Sequence, residues 1–204
     1  DYVSKLWFMF ATPVLSNGGT RRGLPISCFL NYVDDSREGI TGHYTENAFL
    51  SSFGGGMGGS WSDVRASGTK TSKGSESTGV VPFMKVVDAE MLAFSQGITR
   101  RGSYAGYLHI SHPEIQEFLD MRKPTGGDTN RKCLNLHHGI VISDKFMEII
   151  HRATKEEGFD DSWELIDPHS GEVKNVVSAR TLWVKLLQNR METGEPYLMF
   201  EDAV

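Results

Sequence analysis

The stretch Ile26-Ser27-Cys28-Phe29-Leu30-Asn31-Tyr32-Val33 decides the reading of the fold. It is short, rich in apolar and aromatic residues, and preceded by a turn at Asn17-Gly18-Gly19, which together mark a β-strand. Its apolar character is continuous, which predicts burial on both faces, as in a parallel sheet or the interior of a barrel. Downstream, strand-like and helical segments alternate, and that order favours an α/β fold over α+β.

Working outward, residues 1–10 read as the end of a helix, with Leu6, Phe8, Met9 and Phe10 apolar and Ala11-Thr12-Pro13 as its stop. Residues 38–52 read as a helix running into Gly54-Gly55-Gly56-Met57-Gly58-Gly59, which is too rich in glycine for a helix interior. Residues 64–80, full of Gly, Ser, Thr and Lys, predict a long exposed loop. Helical spacing returns over 82–94 (Phe83, Val86, Val87, Met91, Leu92), and a polar loop at 97–103 precedes a strand over 104–110. Ser111-His112-Pro113-Glu114 predicts a helix over 112–122 with Ser111 as its N-cap. A strand follows at 138–142, then a helix over 144–156 capped by Ser143. Segments 163–166 and 173–177 flank a hairpin turn, Asp167-Pro168-His169-Ser170-Gly171. Ser178 caps a last amphipathic helix closed by Gly194, and 196–200 begins another strand.

The 204 residues suffice for a sizeable core, as one domain or part of a larger one. A net charge of −5 argues against a general nucleic-acid binder, although it leaves room for a local basic pocket. No apolar run approaches the roughly 18 residues of a membrane helix. The opening Asp1-Tyr2-Val3-Ser4-Lys5-Leu6-Trp7 lacks the basic region and cleavage site of a signal peptide. Two cysteines are too few for a disulfide scaffold and point to a reducing, cytoplasmic setting.

Several motifs carry two readings. Cys28 in an apolar strand is commonly an inert small hydrophobe, and with no CxxC beside it a redox role needs a thiol from elsewhere. The glycines of 54–59 let backbone N–H groups approach phosphate or sugar oxygens, or simply make a tight bend. They form neither a Walker loop nor a dinucleotide fingerprint. Gln96-Gly97-Ile98-Thr99-Arg100-Arg101-Gly102 offers two guanidinium forks between glycines, suited to phosphates or bases, or else a solvated loop. His109, His112, Cys133, His137 and His138 supply no ordinary four-ligand zinc set, so no metal site is expected. His137 and His138, being adjacent, point to opposite faces of a strand.

Taken together, these stretches resemble the large subunit of ribonucleotide reductases. The carriers are Ala11-Thr12-Pro13-Val14-Leu15-Ser16-Asn17-Gly18-Gly19, Ser27-Cys28-Phe29-Leu30, Asp34-Asp35-Ser36, residues 54–59 with Trp61-Ser62-Asp63-Val64-Arg65, and residues 95–102. Thr181-Leu182-Trp183 and Thr193-Gly194-Glu195-Pro196-Tyr197 are similar to the family as well. Order and spacing carry the resemblance more than any single motif. It implies the first part of a ten-stranded α/β barrel of two antiparallel halves, with 1–204 as a partial catalytic barrel domain.

The resemblance also implies residue roles. Cys28 matches the barrel-strand cysteine that gives reducing equivalents to the ribose and becomes half of a disulfide. Thr12, Ser27 and Gly56 match positions that contact the substrate's ribose or diphosphate. Asp35, Ser36 and Arg65 match the specificity site, where a deoxynucleoside triphosphate or ATP, with magnesium, binds near a homodimer interface. Arg37 stands where some relatives carry an apolar residue. Gln96 and Arg100 match the loop that relays effector identity to the substrate base.

The implied reaction reduces a ribonucleoside diphosphate. A thiyl radical abstracts the 3′ hydrogen, the 2′ hydroxyl leaves as water, and two thiols supply the electrons. Thioredoxin or glutaredoxin then restores the thiols. The 54–65 stretch looks more like class I enzymes, whose radical comes from a metal-containing small subunit, than like the adenosylcobalamin-dependent class II. The family's Asn-x-Cys-x-Glu segment and second redox cysteine are expected beyond Val204, and Cys133 in Arg131-Lys132-Cys133-Leu134-Asn135 reads as structural. Starting without Met and stopping just past a new strand, the chain reads as a fragment inactive by itself. Two alternatives are a non-catalytic deoxynucleotide-binding module and one half of a split reductase. No nucleic acid or membrane partner is expected.

Overall fold

In the computed structural model, which describes residues 1–21, 23–94 and 102–204, α1 (Thr12–Asn17) precedes a run of strand–helix units. They are β1 (Cys28–Tyr32), α2 (Arg37–Ser52), β2 (Gly56–Ser60), α3 (Val80–Ala93), β3 (Ser103–His109), α4 (Ile115–Asp120), β4 (His137–Ile142) and α5 (Asp144–Lys155). A hairpin of β5 (Ser162–Ile166) and β6 (Val173–Ser178) follows, then α6 (Ala179–Thr193) and β7 (Tyr197–Phe200). Five strands form one sheet in the order β1-β2-β3-β4-β7, every pair parallel, while β5 and β6 pair antiparallel apart from it. A parallel sheet requires a crossover between neighbours, and here helices supply it. The alternation foreseen from the sequence is therefore the architecture.

Local signals explain the helices. Ser36 caps α2 by accepting from the Gly39 N–H at 2.9 Å, and Ile40, His43, Asn47 and Ser51 form its buried stripe. Ser143 and Ser178 cap α5 and α6 as anticipated, accepting from Phe146 and Thr181 N–H groups. Gly194 ends α6 with φ of 79°, a conformation that costs glycine little.

The core lies between the sheet and its helices. Trp61, Met84, Tyr104, Leu108, Phe118 and Phe146 are fully buried there. Within it the Tyr104 hydroxyl accepts from Trp61 Nε1 and lies 2.9 Å from His43 Nε2. Burial drives the His43 imidazole down to about 4 against the pull of Glu46, so this ring stays neutral at pH 7.

Three expectations need correction. β1 is not buried on both faces: Leu30 is 87% exposed, and Cys28 and Tyr32 are exposed beside it. It is the outermost strand of the described sheet, and the helices cover only the opposite face. Residues 1–10 are turns and irregular chain rather than a helix end, and Pro13 starts a helix instead of stopping one, because proline's fixed φ and missing N–H suit a first turn. Ser111 does not cap α4, since its hydroxyl is held by His109 Nδ1, and the helix begins only at Ile115. The Glu114 carboxylate reaches instead to the Val80 N–H at 2.8 Å. The 54–59 glycines, as expected, form no helix interior and are half bend and half strand. Gly54 turns the chain at φ 81°, and β2 starts two residues later. A Cβ at Gly59 would stand 2.4 Å from the Tyr104 hydroxyl, so glycine is needed there for packing.

Candidate functional site

The uncovered face of the sheet begins at the N-terminal end of β1. Cys28 is in register with Gly56, and Gly56 with Ser103. The Gly56 N–H donates to the Ser27 carbonyl at 2.6 Å, and the Ser27 hydroxyl lies 3.9 Å from Cys28 Sγ. Three of the four expected substrate residues thus meet at one point of the wall. The fourth, Thr12, is exposed in the first turn of α1, and no hydrogen bond ties it to the others among the described residues. The two thiols differ sharply. Cys28 is exposed, whereas Cys133 is buried and its thiol is pushed up to about 12, chiefly by burial and then by Asp88. A thiol held that high has almost no thiolate at neutral pH.

At the other end of β1 and β2 lies a second site. Arg65 Nε meets both Asp35 oxygens, at 3.1 and 2.9 Å, and the Arg65 backbone N–H donates to Asp35 Oδ1 at 3.2 Å. Ser36 turns its hydroxyl to Asp34 while capping α2. All three expected effector residues line one cavity of about 460 Å³, within the range of small-ligand sites. Its wall also carries the hydroxyls of Thr71, Ser72, Ser75, Ser77 and Thr78, which single out the 64–80 loop as part of the site. The charges balance, with Arg37, Arg65 and Lys73 against Asp35, Glu38 and Glu76.

That loop is mostly exposed, as read from the sequence, yet it is anchored. Asp167 in the β5–β6 turn accepts from the Ala66 N–H at 2.7 Å and from the Thr69 hydroxyl at 3.0 Å. Burial opposes its charge, but these bonds and those from Ser170 outweigh it and hold the carboxyl below its usual range. His112 Nε2 sits 2.9 Å from the Val64 carbonyl, fixing the loop's first residue. Sequence reasoning gave no role to this turn, because its partners lie far away in the chain.

Gln96 and Arg100 lie outside the described residues. The residues flanking that segment are placed. Ser51, at the end of α2, donates to the Phe94 carbonyl, and a Cβ on Gly102 would stand 2.5 Å from the Ser51 hydroxyl. Ser103 then enters β3 directly opposite Gly56.

A parallel sheet with an exposed thiol on its edge strand and a polar cavity at the strands' C-terminal ends is an α/β architecture. The family model for the ribonucleotide reductase barrel domain matches residues 26–204. The chain belongs to the ribonucleotide reductase family, and the fold is part of that barrel. It is 50% identical over 203 residues to the putative ribonucleoside-diphosphate reductase large subunit of Frog virus 3, covering 100% of this chain and 33% of that protein. It is 32% identical to the Helicobacter pylori reductase subunit alpha, covering 28% of it. Among solved structures, the Actinobacillus ureae class Id ribonucleotide reductase alpha subunit matches 98% of this chain with a TM-score of 0.73 and 31% identity. The chain spans about a third of that subunit and of the Frog virus 3 protein. No helix among the described residues is long and apolar enough to cross a membrane.

Proposed function

We propose that this chain is part of the catalytic barrel of a ribonucleoside-diphosphate reductase, with Cys28 as one of two thiols that reduce the ribose. The observation that carries this is the pairing of Cys28 with Gly56 on the uncovered face, with Ser27 locked beside them. There the thiol is accessible, and Gly56 adds no side chain above it. Ser27 and Gly56 would position the substrate, joined by Thr12. Cys28 would give up its hydrogen and pair with a second cysteine, so that the ribose gains two electrons and loses its 2′ oxygen as water.

The cavity around Asp35, Ser36 and Arg65 would hold the effector, a deoxynucleoside triphosphate or ATP with magnesium. Six hydroxyls line it, and its three cations set against three carboxylates fit a polar ligand that carries both anionic and hydrogen-bond-donor groups. Gln96 and Arg100 would carry the effector's identity toward the substrate base, since the segment's far end leads into Ser103 beside Gly56. A metal-containing small subunit would supply the radical, thioredoxin or glutaredoxin the electrons, and a second copy of the chain the dimer. The setting would be cytoplasmic.

The test is Cys28→Ser in the complete subunit, assayed for multiple turnover with a thioredoxin-type reductant and for nucleotide binding. Turnover should vanish while binding stays within about twofold of the parent, because the hydroxyl replaces the thiol without disturbing the exposed site. Sustained turnover would refute the assignment. Arg100→Ala should shift base preference in response to effector, and an equal fall for all four substrates would remove its relay role.

A further inference from the structure

The cavity assigned to the effector has a contact behind it that comes from the β5–β6 turn. His169 Nδ1 lies 3.1 Å from Asp35 Oδ2, the same oxygen that Arg65 Nε meets at 2.9 Å. Asp35 lines the cavity and His169 does not. Asp167, two residues earlier in the turn, grips Ala66 and Thr69 at the root of the cavity loop. One turn therefore holds the site at two points, on the loop and on the acidic side chain.

We infer that His169 is a positioning residue of the nucleotide site, aiming the Asp35 carboxylate at a sugar or base donor of the effector. The inference rests on the effector reading above. A carboxylate among phosphate-binding hydroxyls can only accept hydrogen bonds, and a phosphate oxygen has no proton to offer it at neutral pH. Any contact Asp35 makes with the ligand is therefore to a donor of the nucleotide, a ribose hydroxyl or a base N–H group. Arg65 holds the carboxylate through Nε on both oxygens and through its backbone N–H on Oδ1, so Oδ2 has the single Arg65 partner that His169 supplements. The His169 contact on Oδ2 comes from a different element of the fold and completes the hold on the carboxylate. Holding a reading group before the ligand arrives lowers the ordering cost of binding.

The test uses the complete subunit and two probes, dTTP and inorganic tripolyphosphate, with dissociation constants measured by equilibrium binding. His169→Ala should weaken dTTP on the order of tenfold, the loss of one charge-assisted contact, and leave tripolyphosphate unchanged. His169→Asn should recover most of the dTTP affinity, because its amide nitrogen stands near the place of Nδ1. Equal weakening of both probes would show His169 to be a general cation or a structural prop and would overturn the proposal. Unchanged dTTP affinity in His169→Ala, or an Asn variant as weak as Ala, would do the same while leaving the effector reading intact. If the parent bound no dTTP, or bound it with an affinity untouched by Asp35→Asn, the effector reading itself would fall, and His169 with it.

Discussion

Asp167 accepts a hydrogen bond from the Ala66 backbone N–H at 2.7 Å, although the two residues lie 101 positions apart. The bond ties a turn late in the chain to the loop that walls the cavity around Asp35 and Arg65. It is buried, and it leaves Ala66 no need of water.

Asp167→Ala should therefore cost about 3 kcal/mol, since it strips a charged acceptor from a buried N–H and from Thr69. Urea unfolding of the complete subunit measures this. Limited proteolysis should also reveal faster cleavage within 66–78. A variant as stable and as resistant as the parent would show the anchor to be idle.

The two thiols should separate under alkylation. Cys28 is exposed, and Cys133 is both buried and held at about 12. A maleimide applied at pH 7 should label Cys28 in the native 204-residue chain and reach Cys133 only after denaturation. Peptide mass spectrometry of the labelled protein decides it. Rapid native labelling of Cys133 would contradict the packing described around it.

Two carboxylates should pull stability in opposite directions with pH. Burial raises Glu90 to about 7, so its contribution is complete below about 4.5 and is lost as pH climbs through 7. Burial also pushes Glu195 up, but hydrogen bonds from His138 and His137, with Arg122 beside them, bring it down to about 2. Its contribution is present above about 4.5 and disappears as pH falls toward 2. Glu90→Gln should hence gain on the parent between pH 5 and pH 8, and Glu195→Gln should flatten the loss between pH 5 and pH 3. Parallel stability profiles for parent and variants would contradict both shifts.

Gly59→Ala places a methyl group 2.4 Å from the Tyr104 hydroxyl and 3.0 Å from His43 Cε1. In a packed interior this should cost about 1–3 kcal/mol. Tyr104→Phe removes the obstructing oxygen, so the double variant should be more stable than the sum of the single effects predicts. Strict additivity, measured by chemical denaturation, would place the strain elsewhere.

Much of the fold was legible where the signal is local. Ser143, Ser178 and Gly194 mark helix ends by chemistry that needs no tertiary partner, and each does so in the structure. Ser111 looked like the same kind of signal and failed, because His109 competes for its hydroxyl from a neighbouring strand end. The exposure of β1 was hidden for a different reason. An apolar strand reads alike whether the barrel interior is filled by other strands or stands open. Of the site, the resemblance named Cys28, Ser27 and Gly56, and strand register brings them together. Asp35, Ser36 and Arg65 likewise meet at one cavity. His169 and Asp167 carried no trace in the sequence beyond a turn, since their partners come from the far side of the fold.

The order of the strands has a consequence for how the molecule comes into being. β1, β2, β3 and β4 are neighbours in sequence and in space, so a chain leaving the ribosome can lay each strand against one already in place. The turn bearing Asp167 and His169 emerges only after β4 and α5. The wall carrying Cys28 can thus form before the cavity loop beside it is fastened, in the order in which translation delivers them.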